Sequence, residues 1–319
     1  MPINVIITKD FNHMSEVAAG IVEKKIIAGL KDQKQFVLGL ATGNSPTGLY
    51  KHLAKLVNSG KLDSTRIRSF NLDEYVGLPG ENAQQRTLHP ESYCYFMIQE
   101  FFSLLDKKFI ETSVPYGSLI DQQQLINELE ANPEDWKELG TEAGKSIVIK
   151  ENPTSDYLEW IRKTILEGYA QKIYNADGID LQIIGVGGRG HVAFHESGIP
   201  FEDSSVLLVK LDENTVENAV KDGHFFSKEE SPWYAISMGA ELVYKAKTVI
   251  LLAIGERKVK SITKSLLNDP TPQIPISYGQ IYSEKGGNLI YIIDKIAGRE
   301  LLSNKNLLEQ KGIEINILE

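Results

Sequence analysis

The glycine-rich stretch from residue 183 to residue 196 carries the residues with the most evident chemistry. It reads IIGVGGRGHVAFHE and contains His191, His195 and Glu196. A histidine exchanges protons near neutral pH, and a nearby carboxylate can orient its ring and stabilise the charged form. The sequence therefore predicts that His191 is an acid/base residue and that Glu196 is its partner.

Two other kinds of site fit parts of the same stretch. Gly185, Gly187 and Gly190 spell the GxGxxG pattern of dinucleotide-binding turns, but His191 stands where the helix should open and no acid lies at the usual spacing. His191 and His195 have the i, i+4 spacing of zinc ligands, but no glutamate lies between them and no third ligand is evident. We predict neither a cofactor nor a metal.

Two adjacent acids form a second candidate site. Asp73 and Glu74 follow a predicted strand at residues 66–72. A carboxylate at the end of a strand can act as a general base if it is partly removed from water. The pair is equally compatible with solvated loop acids, so the sequence leaves both interpretations open.

Two turns could hold a phosphate group. Thr42, Gly43 and Asn44 lie between a predicted strand and a predicted helix, where backbone N–H groups can point at an anion. No Gly-Lys-Ser/Thr follows, so the turn is not a Walker A loop, and an ordinary strand-to-helix turn is the alternative. Lys258 follows another strand and supplies a cation near a helix start, which is unfavourable unless an anion is present.

Apolar runs rich in β-branched residues alternate with helical patterns, which is typical of βαβ units. We predict an α/β fold with an open, mostly parallel, doubly wound sheet, similar to a Rossmann fold and covered by helices on both faces. In such a sheet the ligand site lies beyond the carboxyl ends of the strands. The predicted strands lie near Val5 and at residues 36–40, 66–72, 180–186, 248–254, 288–293 and 313–318, the last at an edge; the predicted helices lie at residues 15–29, around 49–56 and at 89–105.

The segment from about residue 111 to residue 150 interrupts this alternation. It is polar and only loosely helical, so we predict a surface insertion within a single domain that spans residues 1–319. A solvated loop with one helix is the simpler interpretation, and a lid over the active site is the alternative.

Composition limits the classes of function. The chain has 34 basic and 43 acidic residues, a net charge of −9, and no evident basic patch, which argues against nucleic-acid binding. No apolar run approaches the ~18 residues of a membrane span. Cys94 is the one cysteine, and the first residues lack a secretory signal. We expect a cytoplasmic protein with no membrane or nucleic-acid partner.

Several of these segments, taken together, resemble the glucosamine-6-phosphate deaminase/isomerase family from roughly residue 10 to residue 300. The stretches are LATGNSPTGLY, FNLDEYVGL, HPESYCYFM, GVGGRGHVAFHESG, YAISMG and LLAIGERK. FNLDEYVGL followed by HPESY is the most discriminating pair. The related 6-phosphogluconolactonases share the sheet and a similar glycine–histidine turn, but they lack that pair.

The resemblance implies a reaction on a small phosphorylated sugar without a metal or redox cofactor. His191, oriented by Glu196, would open the sugar ring, and Asp73 would move a proton from C2 to C1. Loss of ammonia from C2 would then give fructose 6-phosphate. Thr42, Gly43 and Asn44 with Lys258 would bind the phosphate. A homo-oligomer is compatible with the resemblance.

The chain departs from the family at three positions. Arg189 replaces an acid or amide two residues before His191, and a cation there would favour the neutral imidazole unless it points away. His195 replaces an amide, and His224 replaces an arginine that would contact the phosphate.

These departures leave two alternatives open. One is a related enzyme on another phosphorylated sugar, such as galactosamine 6-phosphate or a 6-phosphogluconolactone. The other is a non-catalytic sugar-phosphate binder, which would have no need of Asp73 as a base.

Overall fold

The computed structural model describes residues 2–318. Within that range the strands are β1 (Ile3–Thr8), β2 (Phe36–Leu40), β3 (Ile67–Asn71), β4 (Asp73–Val76), β5 (Glu111–Ser113), β6 (Trp136–Leu139), β7 (Lys145–Ile149), β8 (Leu181–Ile184), β9 (Val206–Lys210), β10 (Tyr234–Met238), β11 (Thr248–Ala253), β12 (Asn288–Asp294) and β13 (Ile313–Ile317).

The α-helices of the same range surround these strands, and none is long and apolar enough to cross a bilayer. They are α1 (Phe11–Asp32), α2 (Thr47–Asn58), α3 (Ala83–Thr87), α4 (Tyr93–Glu100), α5 (Gln122–Ala131), α6 (Asp156–Trp160), α7 (Gly168–Asn175), α8 (Glu213–Lys221), α9 (Ala240–Val243), α10 (Val259–Leu267), α11 (Tyr278–Glu284), α12 (Arg299–Ser303) and α13 (Lys305–Gln310).

The larger sheet has eight strands in the order β13-β1-β12-β11-β8-β2-β3-β5. Every pair of neighbouring strands in it is parallel. All six residues of β11 are buried. Because successive side chains of a strand point to opposite faces, helices must cover both faces of the sheet at β11. The predicted α/β class is confirmed, and β13 lies at the edge as predicted.

A second sheet was not predicted. It has five strands in the order β4-β10-β9-β7-β6, and all its pairs are antiparallel. One residue, Leu72, separates β3 of the larger sheet from β4 of the smaller one. Its N–H donates to the carbonyl of Leu40 at 3.1 Å and its carbonyl accepts from the N–H of Met238 at 2.7 Å, so this one residue joins the two sheets.

The segment 111–150 belongs to both sheets. It contains β5 at the edge of the larger sheet, and β6 and β7 at one side of the smaller sheet. Leu125 and Leu129 of its helix α5 pack in one buried cluster with Ile147 and Ile149. The helix is present as predicted. The prediction of a solvated loop around it is wrong, because the flanking segments, in which polar and apolar residues are mixed, form short strands.

Two further predicted elements differ from the structure. The predicted strand at residues 180–186 ends at Ile184, and a glycine-rich turn follows it. The predicted helix at residues 89–105 is confined to α4 and a single 3₁₀ turn, because Ser92 caps α4 by accepting from the N–H of Tyr95 at 3.4 Å.

The central strands should carry much of the stability. Ile250 of β11 is fully buried between Ile183 of β8 and Ile290 of β12. We expect Ile250→Ala to lower the free energy of unfolding by about 2–5 kcal/mol, because it removes buried methyl groups and leaves a cavity. Urea unfolding measures the change. Leu307→Ala on α13 is the control, since Leu307 is exposed and its loss should cost no more than about 0.5 kcal/mol.

Candidate active site

A cleft of about 210 Å³ lies beyond the carboxyl ends of β2, β3, β8 and β11. This is the edge at which parallel sheets bind ligands, and the volume is below the ~300–1,000 Å³ of sites for drug-sized ligands. The predicted residues Thr42, Gly43, Asn44, Asp73, His191 and Lys258 all line it. Ala41, Ser45, Leu72, Tyr93, Gly185, Val186, Gly187, Ala193 and Phe194 complete the lining.

The turn that presents His191 depends on two glycines. The N–H of Gly187 donates to the carbonyl of His191 at 3.1 Å, which closes the turn. A Cβ atom at Gly187 would lie 1.8 Å from Nε2 of His191, so only glycine lets the ring lie against the backbone there. Gly190 has a φ of 84°, in the left-handed region that favours glycine. The glycine pattern therefore shapes a histidine turn.

His191 and Glu196 form a pair, as predicted. Nδ1 of His191 lies 3.2 Å from Oε2 of Glu196, and the glutamate is buried. Burial alone would raise the pKa of the Glu196 carboxyl. Hydrogen bonds from His191, from the Thr215 side chain and from the N–H of Asp212 outweigh it and lower that pKa. Glu196 is thus held as a carboxylate that can accept from the imidazole.

Asp73 is the buried acid of the cleft. It begins β4 and is 5% exposed. Burial, and then the neighbouring charge of Glu74, raise the pKa of its carboxyl well above the ordinary value. A carboxylate with a raised pKa binds a proton more tightly, and that is the property required of a general base.

Glu74 lies outside the cleft lining, because adjacent strand residues point to opposite faces. Its carboxylate accepts from the hydroxyl of Ser92 at 2.8 Å and from the N–H groups of Tyr93 and Cys94 at 3.0 Å each. Burial raises the pKa of Glu74, and these hydrogen bonds oppose the rise. Glu74 therefore anchors the start of α4 and with it Tyr93, a cleft residue that sequence reasoning did not single out.

The cleft also holds a cation, Lys258. Nζ of Lys258 donates to the carbonyl of Val186, and in the described part of the chain no carboxylate oxygen lies within 4.0 Å of it. Burial, followed by the nearby charge of Arg257, lowers the pKa of Lys258. A largely buried ammonium group without an ionic partner is costly, so this position favours an anionic ligand.

The turn at residues 41–45 lines the same cleft as Lys258 and is held in place by Tyr50. The buried hydroxyl of Tyr50 on α2 accepts from the N–H of Ala41 and donates to its carbonyl. Gly43 has a φ of 92°, and Ser45 lines the cleft beside Asn44. The predicted phosphate turn and the predicted cation thus lie in one cleft.

Arg189 points away from this cleft. Its guanidinium pairs with Asp212 and, at 2.9 Å, with Glu142. Two carboxylates therefore offset its charge. The sequence predicts that Arg189 favours the neutral imidazole of His191 unless its side chain points away. The side chain does point away, so Arg189 is not expected to weaken the acid role of His191.

His195 is a buried structural residue. Its Nδ1 accepts from the N–H of Ala240 and its Nε2 donates to the carbonyl of Ile199, each at 3.0 Å. Both ring nitrogens are engaged with backbone groups, so the ring cannot share a metal with His191. Burial lowers the pKa of His195 to about 4, and the ring is neutral at physiological pH.

His224 lies outside the cleft lining as well. Its Nδ1 is 2.7 Å from a carboxylate oxygen of Glu91, and its side chain is more than half exposed. It borders a neighbouring cavity together with His89, Phe225 and Phe226. The structure thus separates His224 from the Thr42–Lys258 side of the cleft.

Known proteins resemble this chain over more than nine-tenths of its length. A glucosamine-6-phosphate deaminase of Clostridium acetobutylicum is 33% identical over 297 residues, which cover 93% of this chain and 99% of that protein. One of Clostridium botulinum is 34% identical and covers 93% and 98%. The chain belongs to the glucosamine-6-phosphate deaminase family. No family model matches it.

Solved structures agree with this membership. A protein described as a monomeric glucosamine-6-phosphate deaminase superposes with a TM-score of 0.68 at 25% identity, covering 94% of this chain and 99% of its own. A 6-phosphogluconolactonase from Trypanosoma brucei superposes with a TM-score of 0.60 at 16% identity over 94% and 99% of the two chains. The second likeness concerns the fold alone.

Stability should depend on pH through His195. Its ring is neutral when folded, but the unfolded chain protonates it below its ordinary value near 6.5. The unfolded state then binds more protons, so the free energy of unfolding falls as the pH drops from about 6.5 towards 4, by at most about 1.4 kcal/mol per pH unit. Urea unfolding of wild type and His195→Asn at pH 5 and 7.5 tests this. An equal slope in both proteins would contradict the assignment.

Proposed function

We propose that this protein converts glucosamine 6-phosphate to fructose 6-phosphate and ammonia. The observation that carries the proposal is the meeting of three chemical groups in one small cleft. A buried acid with a raised pKa, Asp73, shares the cleft with His191, whose ring pairs with Glu196, and with the ammonium group of Lys258. The deaminases to which the chain is similar act on this sugar phosphate, as their names state.

The phosphate is bound at one end of the cleft. Lys258 supplies a point charge, and the turn of Thr42, Gly43 and Asn44 supplies polar groups at the end of β2. A phosphate dianion would supply the negative charge that the largely buried ammonium group lacks. Binding there fixes the sugar with its reacting carbons beyond the end of the sheet, near Asp73.

His191 opens the ring by relaying a proton. It accepts the proton of the C1 hydroxyl and transfers a proton to the ring oxygen as the C1–O5 bond breaks, so that C1 becomes a carbonyl. Glu196 accepts from Nδ1 of the ring, which orients the imidazole and stabilises its charged form. Because Arg189 pairs with Asp212 and Glu142, its charge does not oppose this step.

Asp73 then moves a proton between carbons. Its carboxylate removes the proton from C2, which gives an enolamine with a C1–C2 double bond, and returns a proton to C1. The product is an imine at C2, to which water adds. Ammonia leaves with the C2–N bond, and the C2 carbonyl of fructose 6-phosphate forms. Each turnover therefore consumes one water molecule and releases one ammonia molecule.

We also propose that the enzyme works in the cytoplasm on this small substrate, without a membrane or nucleic-acid partner. The single cysteine, Cys94, has a free thiol, as expected where disulfides do not form. The prediction of a homo-oligomer stays a prediction, and one solved relative is described as monomeric.

Substitution of Asp73 tests the base. We expect Asp73→Asn to lower ammonia release from glucosamine 6-phosphate by about 10²–10⁴-fold, because an amide cannot accept the C2 proton. Ammonia is measured by a coupled assay, and a thermal melt confirms that the variant is folded. Asp106→Asn, at an exposed aspartate, is the control and should keep wild-type activity.

The same assay on other substrates decides between the alternatives. Galactosamine 6-phosphate is tested for ammonia and 6-phosphogluconolactone for acid release. Turnover of either compound in preference to glucosamine 6-phosphate would show that this compound is the substrate. Tight binding without turnover of any of the three would make it a sugar-phosphate binder, and the proposal would fail.

Substitution of Lys258 tests the phosphate site. We expect Lys258→Met to raise KM about 10–100-fold, since a hydrogen bond to a charged group contributes about 1.5–3 kcal/mol and 1.4 kcal/mol is tenfold. The matched control is Lys260→Met, because Lys260 is an exposed lysine on α10, two residues beyond Lys258, and does not line the cleft. Equal KM values for the two variants would place the phosphate elsewhere.

A further inference from the structure

The turn between β6 and β7, residues 140–144, packs against the back of the catalytic segment. The N–H of Thr141 donates to the carbonyl of Gly198 at 3.1 Å, and Nε2 of Gln273 donates to the hydroxyl of Thr141 at 3.1 Å. A Cβ atom at Gly144 would lie 2.7 Å from Cβ of Glu196. The turn therefore contacts the residue that orients His191.

Arg189 connects this turn to two other parts of the site. It lies within the histidine turn, and its Nη2 pairs with Glu142 of the β6–β7 turn at 2.9 Å. Its Nη1 pairs with Asp212, the N-cap residue of α8. The side chain of Asp212 is 3% exposed, so its ion pair with Arg189 is shielded from water. The side chain of Glu142 is 36% exposed, so its ion pair with Arg189 is closer to the solvent.

The position of Asp212 brings this ion-pair system beside the catalytic pair. Its N–H donates to Oε1 of Glu196 at 3.4 Å, while Oε2 of Glu196 contacts His191. Asp212 thus contacts the guanidinium of Arg189 with its side chain and the Glu196 carboxylate with its N–H. A guanidinium binds a carboxylate through two parallel hydrogen bonds, and a neutral imidazole cannot match that interaction. If Arg189 reached Glu196, it would displace His191 as the partner.

We propose that Glu142 and Asp212 form a latch that holds Arg189 away from Glu196, so that Glu196 stays on His191. Glu142 is then a positioning residue for the reaction, although it touches neither the cleft nor His191. This inference rests on the proposed function, and it gives a role to a segment that the sequence presented as an insertion.

Turnover of Glu142→Gln provides the first test. We expect kcat with glucosamine 6-phosphate to fall about 10-fold, because Glu196 is drawn from His191, while KM changes less than about 2-fold, since Lys258 and the phosphate turn are untouched. Glu138→Gln is the matched control on β6 of the same hairpin, where Glu138 pairs with Lys210. Equal kcat values for the two variants would overturn the latch.

The double variant separates the latch from a loss of packing. In Glu142→Gln/Arg189→Gln the competing guanidinium is gone, and we expect kcat to be at least about 3-fold higher than in Glu142→Gln alone. A double variant as slow as or slower than the single one would show that Glu142 acts only through packing, and it would overturn the proposal.

A crystal structure of Glu142→Gln tests the latch without any substrate. We expect a guanidinium nitrogen of Arg189 within 3.5 Å of a Glu196 oxygen. An Arg189 that keeps its position on Asp212 alone would overturn the latch. If wild type released no ammonia and yet Arg189 moved to Glu196, the proposed function would fail and the latch would stand.

Discussion

The whole site depends on one residue, Leu72, whose backbone is hydrogen-bonded to both sheets. Its N–H belongs to the parallel sheet through Leu40, and its carbonyl belongs to the antiparallel sheet through Met238. The chain therefore passes from one sheet to the other at this single residue. Asp73 is fixed at the point of transfer, where the cleft opens, and Glu74 is turned to the other side to hold α4. Asp73 therefore lines the cleft, whereas Glu74 does not.

Burial acts in opposite directions on the pKa values of two ionisable groups that line the cleft. It raises the pKa of Asp73 and lowers the pKa of Lys258, so each charged form is held less firmly than it would be in water. Among residues 2–318, neither group has an ion-pair partner that would restore its ordinary behaviour. This arrangement suits a base that must take up and give back a proton. It also suits a cation that a phosphate can satisfy.

The sequence was most informative where a local pattern decides the structure. Continuous apolar runs predicted β8 and β11, and residue type predicted that Asp73, His191 and Lys258 belong to a site; all three line one cleft. The antiparallel sheet was missed because its strands are short and several of them pair with strands far away in the sequence, while none of the four residues of β6 is buried. The direction of Arg189 could not be predicted either, since it is set by Glu142, 47 residues away, and Asp212, 23 residues away.

The contact between Arg189 and the β6–β7 turn has a consequence for how this chain could be shortened. In the proposed latch, two carboxylates receive the guanidinium of Arg189, and only Glu142 belongs to the turn. A chain without this hairpin would keep Asp212 as the partner of Arg189 but lose Glu142. The proposed latch therefore links any redesign of the hairpin to the choice of residue at position 189.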